Sequence, residues 1–290
     1  MSRNEGTRVI VKGMTGREGA FHPQAMMDYG TNVVGGVTPG KGGTTHLDHP
    51  VFPHCLAAVE ETGATASVAF VPPRFVLGAV EDAVESGIKL LVVITEGVPL
   101  LDEILMGQMV KEAGATMIGP NCPGILSSGI GKMGIMPSGM FRQGNVGLVS
   151  RSGTLTYEVV DLICRAGMGI STAVGIGGDR VIGARFKDVL LAFEADEETD
   201  GVVMVGEIGG DDEERAAALI PTLGKLKDRV VGFIGGRTAP EGKAMGHAGA
   251  IVEGNKGTPL AKVAALEAVG VPVPERLSEI PALLQPRLPR

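Results

Sequence analysis

The 290-residue chain has no tryptophan, and aromatic residues make up only 3% of it. Its interior must therefore be packed with Val, Ile, Leu, Ala and Met, the residues of parallel sheets covered by helices. It has no CxxC, and its three cysteines, Cys55, Cys122 and Cys164, have no paired spacing. That argues against a disulfide framework or a cysteine zinc site and for the reduced thiols of a cytoplasmic protein. No run of 18 apolar residues occurs, so no membrane span is expected. Basic charge is also short: the net charge is −7, and without a basic face a nucleic-acid partner is not expected. The opening residues, Met1 to Gly6, carry neither the apolar stretch of a signal peptide nor an Arg-rich presequence.

What is present is a regular alternation of short apolar runs and helix-length amphipathic segments, in a chain long enough for about two domains. Strands are expected at residues 8–12, 32–37, 66–71, 89–95 and 115–118. Helices at 20–29 and 74–86 run into Gly30 and Gly87, glycine being the usual residue just past a helix end. Over residues 120–145 the pattern lapses into a Gly/Pro/Ser-rich connection, opened by Pro120-Asn121-Cys122-Pro123-Gly124. A second series of strands is expected at 146–150, 172–176, 202–205 and 230–234. Thr258-Pro259 supplies an N-cap and an N1 proline for the last clear helix, which Gly270 ends. Strands alternating with helices predict an α/β fold of two doubly wound domains, residues 1–130 and 131–290.

The first strand leads into Gly13-Met14-Thr15-Gly16-Arg17-Glu18-Gly19 and then a helix. A strand, a glycine turn and a helix N-terminus form a phosphate cradle from backbone N–H groups and the helix dipole. The spacing here is GxxGxxG, not GxGxxG, so a plain tight βα turn is the competing reading. A dinucleotide fold should place an acid at the end of the second strand to hold a ribose hydroxyl. This chain instead has Thr38-Pro39-Gly40-Lys41-Gly42-Gly43 there. Lysine in place of the acid favours an extra phosphate, which suits coenzyme A better than NAD and leaves NADP as the rival. The strand ends Ile94-Thr95-Glu96-Gly97 and Gly119-Pro120-Asn121-Cys122 lie where open α/β sheets bind ligands. Cys122 has no basic neighbour in sequence to activate it and reads as a small loop residue.

In the second half, a strand meets Arg151-Ser152-Gly153-Thr154-Leu155-Thr156-Tyr157-Glu158. Hydroxyls and a glycine at a helix N-terminus make a second anion site, or a simple helix cap by Ser152 or Thr154. Val205-Gly206-Glu207-Ile208-Gly209-Gly210 puts a carboxylate at another strand end on the same rim. Near the C-terminus His247 stands in Met245-Gly246-His247-Ala248-Gly249-Ala250, with no period that would bury its ring as core. An imidazole on a glycine loop can serve as nucleophile, acid/base or metal ligand. A carboxylate such as Glu207 can hold the other ring nitrogen and fix the tautomer, although a solvated loop glutamate reads equally well. Phosphate site, imidazole and orienting acid together imply phosphoryl transfer through a phosphohistidine. His46, His49 and His54 lie close together, but in a loop without cysteines or paired carboxylates, so no metal site is expected.

At these residues the chain resembles the α subunits of succinyl-CoA synthetase (succinate–CoA ligase), over essentially its whole length. The resemblance is carried by residues 35–43, 119–124, 150–158, 206–210 and 246–250, five motifs in order. It implies an N-terminal Rossmann-like CoA-binding domain and a C-terminal flavodoxin-like ligase domain. By family analogy Thr15, Gly16, Arg17, Glu18, Lys41, Ile94, Thr95 and Glu96 contact CoA. His247 would be the phosphorylated residue, Glu207 its orienting acid, and Ser152, Gly153 and Thr154 the phosphate cradle. Tyr157 would lie at the site shared with a β subunit, in an αβ or α2β2 assembly. That separate ATP-grasp chain would bind the Mg-nucleotide, ATP or GTP. This chain has no GxxxxGK[ST] loop of its own.

The implied cycle phosphorylates His247 from a nucleoside triphosphate, passes the phosphoryl group to succinate, and resolves the acyl phosphate with the CoA thiol. It is the reversible succinyl-CoA step of the tricarboxylic acid cycle. Relatives that ligate CoA to malate or citrate share the phosphohistidine loop, so the resemblance fixes reaction type ahead of acyl group. A non-catalytic CoA-binding module would not need His247, and an NADP oxidoreductase would need a hydride-site constellation that is missing. One departure is visible: Arg180 follows Gly177-Gly178-Asp179, where the family commonly has proline.

Overall fold

A computed structural model of the chain describes residues 6–238, 246–252 and 257–289. Met1 to Glu5, read above as lacking a leader, and Met245 of the histidine motif lie outside the described residues. The backbone gathers into two units. One holds the described residues up to 136 together with 181–183, and the other holds 137–180 and the described residues from 184 onward.

In the first unit the elements run β1 (Val9–Lys12), α1 (Arg17–Asp28), β2 (Val33–Val37), β3 (Thr45–His46), β4 (His49–Phe52) and α2 (Cys55–Thr62). They continue as β5 (Ala66–Ala69), α3 (Val76–Glu85), β6 (Leu90–Val93), α4 (Leu100–Glu112), β7 (Thr116–Ile118), β8 (Gly124–Ser127) and β9 (Gly131–Gly134). The sheet order is β3-β4-β2-β1-β5-β6-β7, parallel except for the short β3–β4 pair. From β4 to β7 this is the Rossmann order, with its reversal between β1 and β5. Ile10, Val37, Leu91 and Val93 from the strands pack with Val76, Val80 and Met106 from the helices.

The second unit contains β10 (Gln143–Ser150), α5 (Gly153–Arg165), β11 (Ile170–Gly175), α6 (Phe186–Ala195), β12 (Gly201–Glu207) and α7 (Asp212–Leu219). It ends with β13 (Val230–Gly235), α8 (Pro259–Glu267) and α9 (Ile280–Leu284). Here the order β13-β12-β10-β11 is wholly parallel. The order reverses between β10 and β12, as in flavodoxin-like folds. Its core is aliphatic, with Phe186 and Phe193 the largest buried side chains.

Three differences from the sequence expectation have local causes. The connection over 120–145 is not irregular, because β8 and β9 form an antiparallel pair and β10 already starts at Gln143. Residues 131–136 group with the first unit by their contacts, whereas the expected boundary assigned them to the second. The histidine loop is partly strand: His46 sits opposite His49, and His54 caps α2 by accepting the Ala57 N–H at 3.2 Å. α1 begins three residues before the expected 20, since Gly16 is its N-cap.

Gly19 is where a glycine is demanded by space. A Cβ there would stand 2.0 Å from the Gly13 carbonyl oxygen, so α1 can approach the β1 turn only without a side chain. Gly19→Ala gains at most about 1 kcal/mol of helix propensity against an overpacking cost of about 1–3 kcal/mol or more. The substitution is expected to lower the denaturant midpoint of the first unit, measured by circular dichroism, and an unchanged midpoint would show that the turn yields freely.

Candidate active site

The strand order reverses between β10 and β12, and the carboxyl ends at such a switch point are the place where open α/β sheets bind ligands. Ser150, last in β10, is in register with Val205 of β12, and Arg151 N–H donates to the Val205 carbonyl at 3.1 Å. Two residues on, β12 ends at Glu207. The loop after β11 enters the same place, since Ile176 N–H bonds the Ser150 carbonyl at 2.8 Å.

His247 meets Glu207 here. Its Nδ1 lies 2.8 Å from Glu207 Oε2, and the other carboxylate oxygen, Oε1, accepts from Arg151 Nε at 2.9 Å. Arg151 also donates from Nη2 to the Asp179 carbonyl at 2.9 Å, and both partners of the ion pair are buried. An ionised carboxylate only accepts, so the proton between Glu207 and the imidazole resides on Nδ1. Nε2 is left with its lone pair whenever the ring is neutral.

The imidazole is seated on backbone. A Cβ on Gly178 would fall 2.3 Å from His247 Cγ, so no larger residue fits under the ring. Gly249 N–H donates to the Gly178 carbonyl at 3.0 Å and Ala250 N–H to the His247 carbonyl at 3.1 Å. Arg180 donates from Nε to the Ala248 carbonyl at 3.2 Å, so it braces the histidine loop.

α5 follows β10 directly. Ser152 caps it, accepting the Leu155 N–H at 3.3 Å, and its own N–H donates to Ser150 Oγ at 3.1 Å. Helix capping is thus observed, and it leaves the Ser152 hydroxyl proton available to an anion. Gly153 and Thr154, the first two residues of this 13-residue helix, have no acceptor for their N–H groups among the described residues. Free N–H groups with a helix dipole behind them are the kind of end that attracts anions. Tyr157 stands half-buried one turn further on.

In the first unit, the residues assigned to CoA lie along the carboxyl ends of β1, β2 and β6. Gly16 N–H bonds the Gly13 carbonyl at 2.9 Å to close the β1 turn, and Thr15 Oγ1 lies 3.4 Å from Thr38 Oγ1 beyond β2. Lys41 is exposed on the following turn, held by its N–H to the Thr38 carbonyl at 3.1 Å. Ile94 follows β6, and Thr95 Oγ1 donates to the Val71 carbonyl at 2.7 Å while Glu96 faces solvent. Arg17 is almost fully exposed, and Glu18 sits 3.3 Å from His22 Nε2. Cys122 is buried and donates its thiol to the Val93 carbonyl. No group of three His, Cys, Asp or Glu that could hold a metal occurs among the described residues, and none of their helices is long and apolar enough to cross a membrane.

The sequence reading paired His247 with Glu207 but gave no role to Arg151 or Gly178. A cation immediately after a strand that borders a switch point was the available signal for Arg151. Gly178 carried only the signature of a loop glycine.

The hydrogen bond to Glu207 raises the His247 pKa above its ordinary value, against opposition from burial and Arg151. The pair therefore contributes its full stability below about pH 6.5, the unfolded value, and loses it as pH climbs through the raised native value. Glu207→Gln is expected to move the His247 ring titration, followed by NMR, downward in pH. A titration unaffected by the substitution would remove Glu207 as the cause.

Residues 4–97 match the family described as CoA binding domain, and residues 149–271 the family described as CoA-ligase. The succinate–CoA ligase [ADP-forming] subunit alpha 2 of Archaeoglobus fulgidus is 54% identical over 281 residues, 97% of each chain. The corresponding α subunit of Methanothermobacter thermautotrophicus is 50% identical over 277 residues, 96% of this chain and 93% of that one. Among solved structures, ATP citrate lyase from Methanothrix soehngenii in complex with citrate and coenzyme A superposes with a TM-score of 0.86 at 25% identity. The match covers 97% of this chain and 49% of that one, so the chain spans about half the length of the lyase. With both domains matched, and half or more of the residues shared with such relatives over nearly the whole length, the chain belongs to the family of succinate–CoA ligase α subunits.

Proposed function

We propose that the chain is the CoA-binding, histidine-phosphorylated subunit of an ADP-forming succinate–CoA ligase, acting with a β subunit of ATP-grasp type. The observation that carries this is the contact of His247 Nδ1 with Glu207, which directs the Nε2 lone pair away from the carboxylate. In the proposed cycle Nε2 attacks the γ-phosphorus of a Mg-nucleotide bound by the β subunit. The N–P bond forms as the bond to the leaving nucleoside diphosphate breaks. Glu207 stabilises the imidazolium character that develops, as carboxylate partners of catalytic histidines do. Gly153, Thr154 and the Ser152 hydroxyl receive the phosphoryl oxygens. A succinate carboxylate oxygen then takes the phosphoryl group, and the CoA thiolate displaces phosphate from the acyl carbon.

CoA is assigned to the rim of Thr15, Gly16, Arg17, Glu18, Lys41, Ile94, Thr95 and Glu96, and Tyr157 to the side facing the β subunit. The relatives named for succinate and ADP, at 50–54% identity, support succinate over citrate as the acyl group and an adenine nucleotide as the phosphoryl donor. The citrate enzyme shares the fold at 25%.

His247→Asn is expected to abolish labelling from γ-phosphate-labelled ATP in the assembled enzyme while CoA binding stays near that of the parent. The label on the parent should be lost in acid and kept in base, as a phosphoramidate requires. Acid-stable label, or label on the Asn variant, would assign the phosphate elsewhere.

Lys41→Ala is expected to weaken CoA more than dephospho-CoA, since the exposed ammonium is assigned to the 3′-phosphate. A charge-assisted contact of about 1.5–3 kcal/mol corresponds to roughly tenfold or more in affinity. Calorimetric titration of both ligands distinguishes this from contact with the pyrophosphate, which would give equal losses.

A further inference from the structure

Behind Glu207 lies a charged pair that the proposed cycle does not use. Lys262 of α8 and Glu213 of α7 are both fully buried and in direct hydrogen-bonded contact through Nζ and Oε2. The other oxygen of Glu213, Oε1, accepts the backbone N–H of Glu207 at 3.0 Å. It also fills the space beside Gly206, where a Cβ would stand 2.5 Å from it. Lys262 reaches Glu214 Oε2 at 3.3 Å as well, so its ammonium is held on α7 from two sides.

A buried ion pair is a costly device, and apolar residues of the same volume usually stabilise a fold as well or better. A geometric role is the better account of this one. The peptide N–H of Glu207 belongs to the residue whose carboxylate must divide itself between Arg151 and His247. Fixing that peptide fixes where the carboxylate starts.

We propose that the Lys262–Glu213 pair is a positioning element for Glu207: by holding the Glu207 peptide N–H at the end of β12, it aims the carboxylate so that Oε2 meets His247 Nδ1. Neither residue touches the reacting atoms. They act through Glu207 on the tautomer of His247, and the inference deepens the phosphohistidine reading on which it rests.

The test uses the full chain with ¹⁵N-labelled histidine, His247 being assigned by comparison with His247→Asn. The parent should show the Nδ1–H tautomer for His247. Glu213→Ala combined with Lys262→Met removes acceptor and holder together and leaves no unpaired buried charge. It is expected to give a mixture of the two tautomers, and in the enzyme assembled with its β subunit to slow His247 phosphorylation about tenfold. Glu213→Gln combined with Lys262→Met keeps a carbonyl to accept the Glu207 N–H and should restore the Nδ1–H form.

A parent-like tautomer in the folded Ala/Met variant overturns the proposal, as does failure of the Gln/Met variant to restore it. Should the Ala/Met variant not fold, amide hydrogen exchange in the parent decides. The Glu207 N–H must exchange at least a hundredfold more slowly than the loop amides that follow it, and equal rates overturn the clamp. An unlabelled parent enzyme together with the expected tautomer change would fault the phosphohistidine reading and support the clamp.

Discussion

The carboxylate of Glu207 has its two oxygens committed to two different groups, and the arrangement of the site follows from that division. Oε1 is taken by Arg151 and Oε2 by His247. Were the guanidinium absent, the carboxylate could rotate and accept from the ring with either oxygen. Arg151 is itself tied to the Asp179 carbonyl, beside the Gly178 peptide on which the imidazole rests. The ring is therefore fixed from its edge by a side chain and from its face by backbone.

The parallel sheets explain why these groups converge. Parallel strands deliver their carboxyl ends to one side, and a reversal of strand order opens a crevice there. In the second unit that reversal separates β10 from β12, and the two strands lead to Ser152 and Glu207, respectively. In the first unit it separates β1 from β5, and the turn after β1 carries residues 13–16. One topological rule, applied twice, yields two rims, each at a helix N-terminus and each with its own set of side chains. Glycine supplies the close approach, at Gly19 beneath one rim and Gly178 beneath the other.

Elements with a strong local signal were legible in the sequence. Aliphatic runs such as those of β6, β12 and β13 became strands, and Gly30, Gly87 and Gly270 take the positive φ expected of residues past helix ends. The β8–β9 pair was not legible, because Gly124 and Gly134 carry no strand propensity and their pairing depends on close backbone contact. His247 and Glu207 were legible as a pair because each stands alone among glycines and aliphatics. Arg151 and Lys262 were hidden for a physical reason, since long cationic side chains ordinarily signify solvent. Lys262 does sit four residues before the buried Leu266, on the buried face of α8. A lysine on that face is the pattern that marks a buried charge with a partner.

The distribution of positive charge around His247 bears on how a phosphoryl group could pass through the site. Arg151 is close enough to oppose protonation of the ring, yet its Nε and Nη2 donors are turned to Glu207 and the Asp179 carbonyl. A guanidinium binding the phosphoryl oxygens in bidentate fashion would stabilise the phosphorylated intermediate strongly and slow its onward transfer. The end of α5 offers instead the partial charge of a helix N-terminus, about half an elementary charge, spread over the N–H groups of Gly153 and Thr154. An intermediate that must both form and be discharged is served by the weaker partner, because binding it too tightly deepens a well that the next transition state must climb from. On the proposed phosphohistidine reading, holding the guanidinium on Glu207 and the Asp179 carbonyl lets one cation orient His247 without gripping the phosphoryl group that the ring would carry.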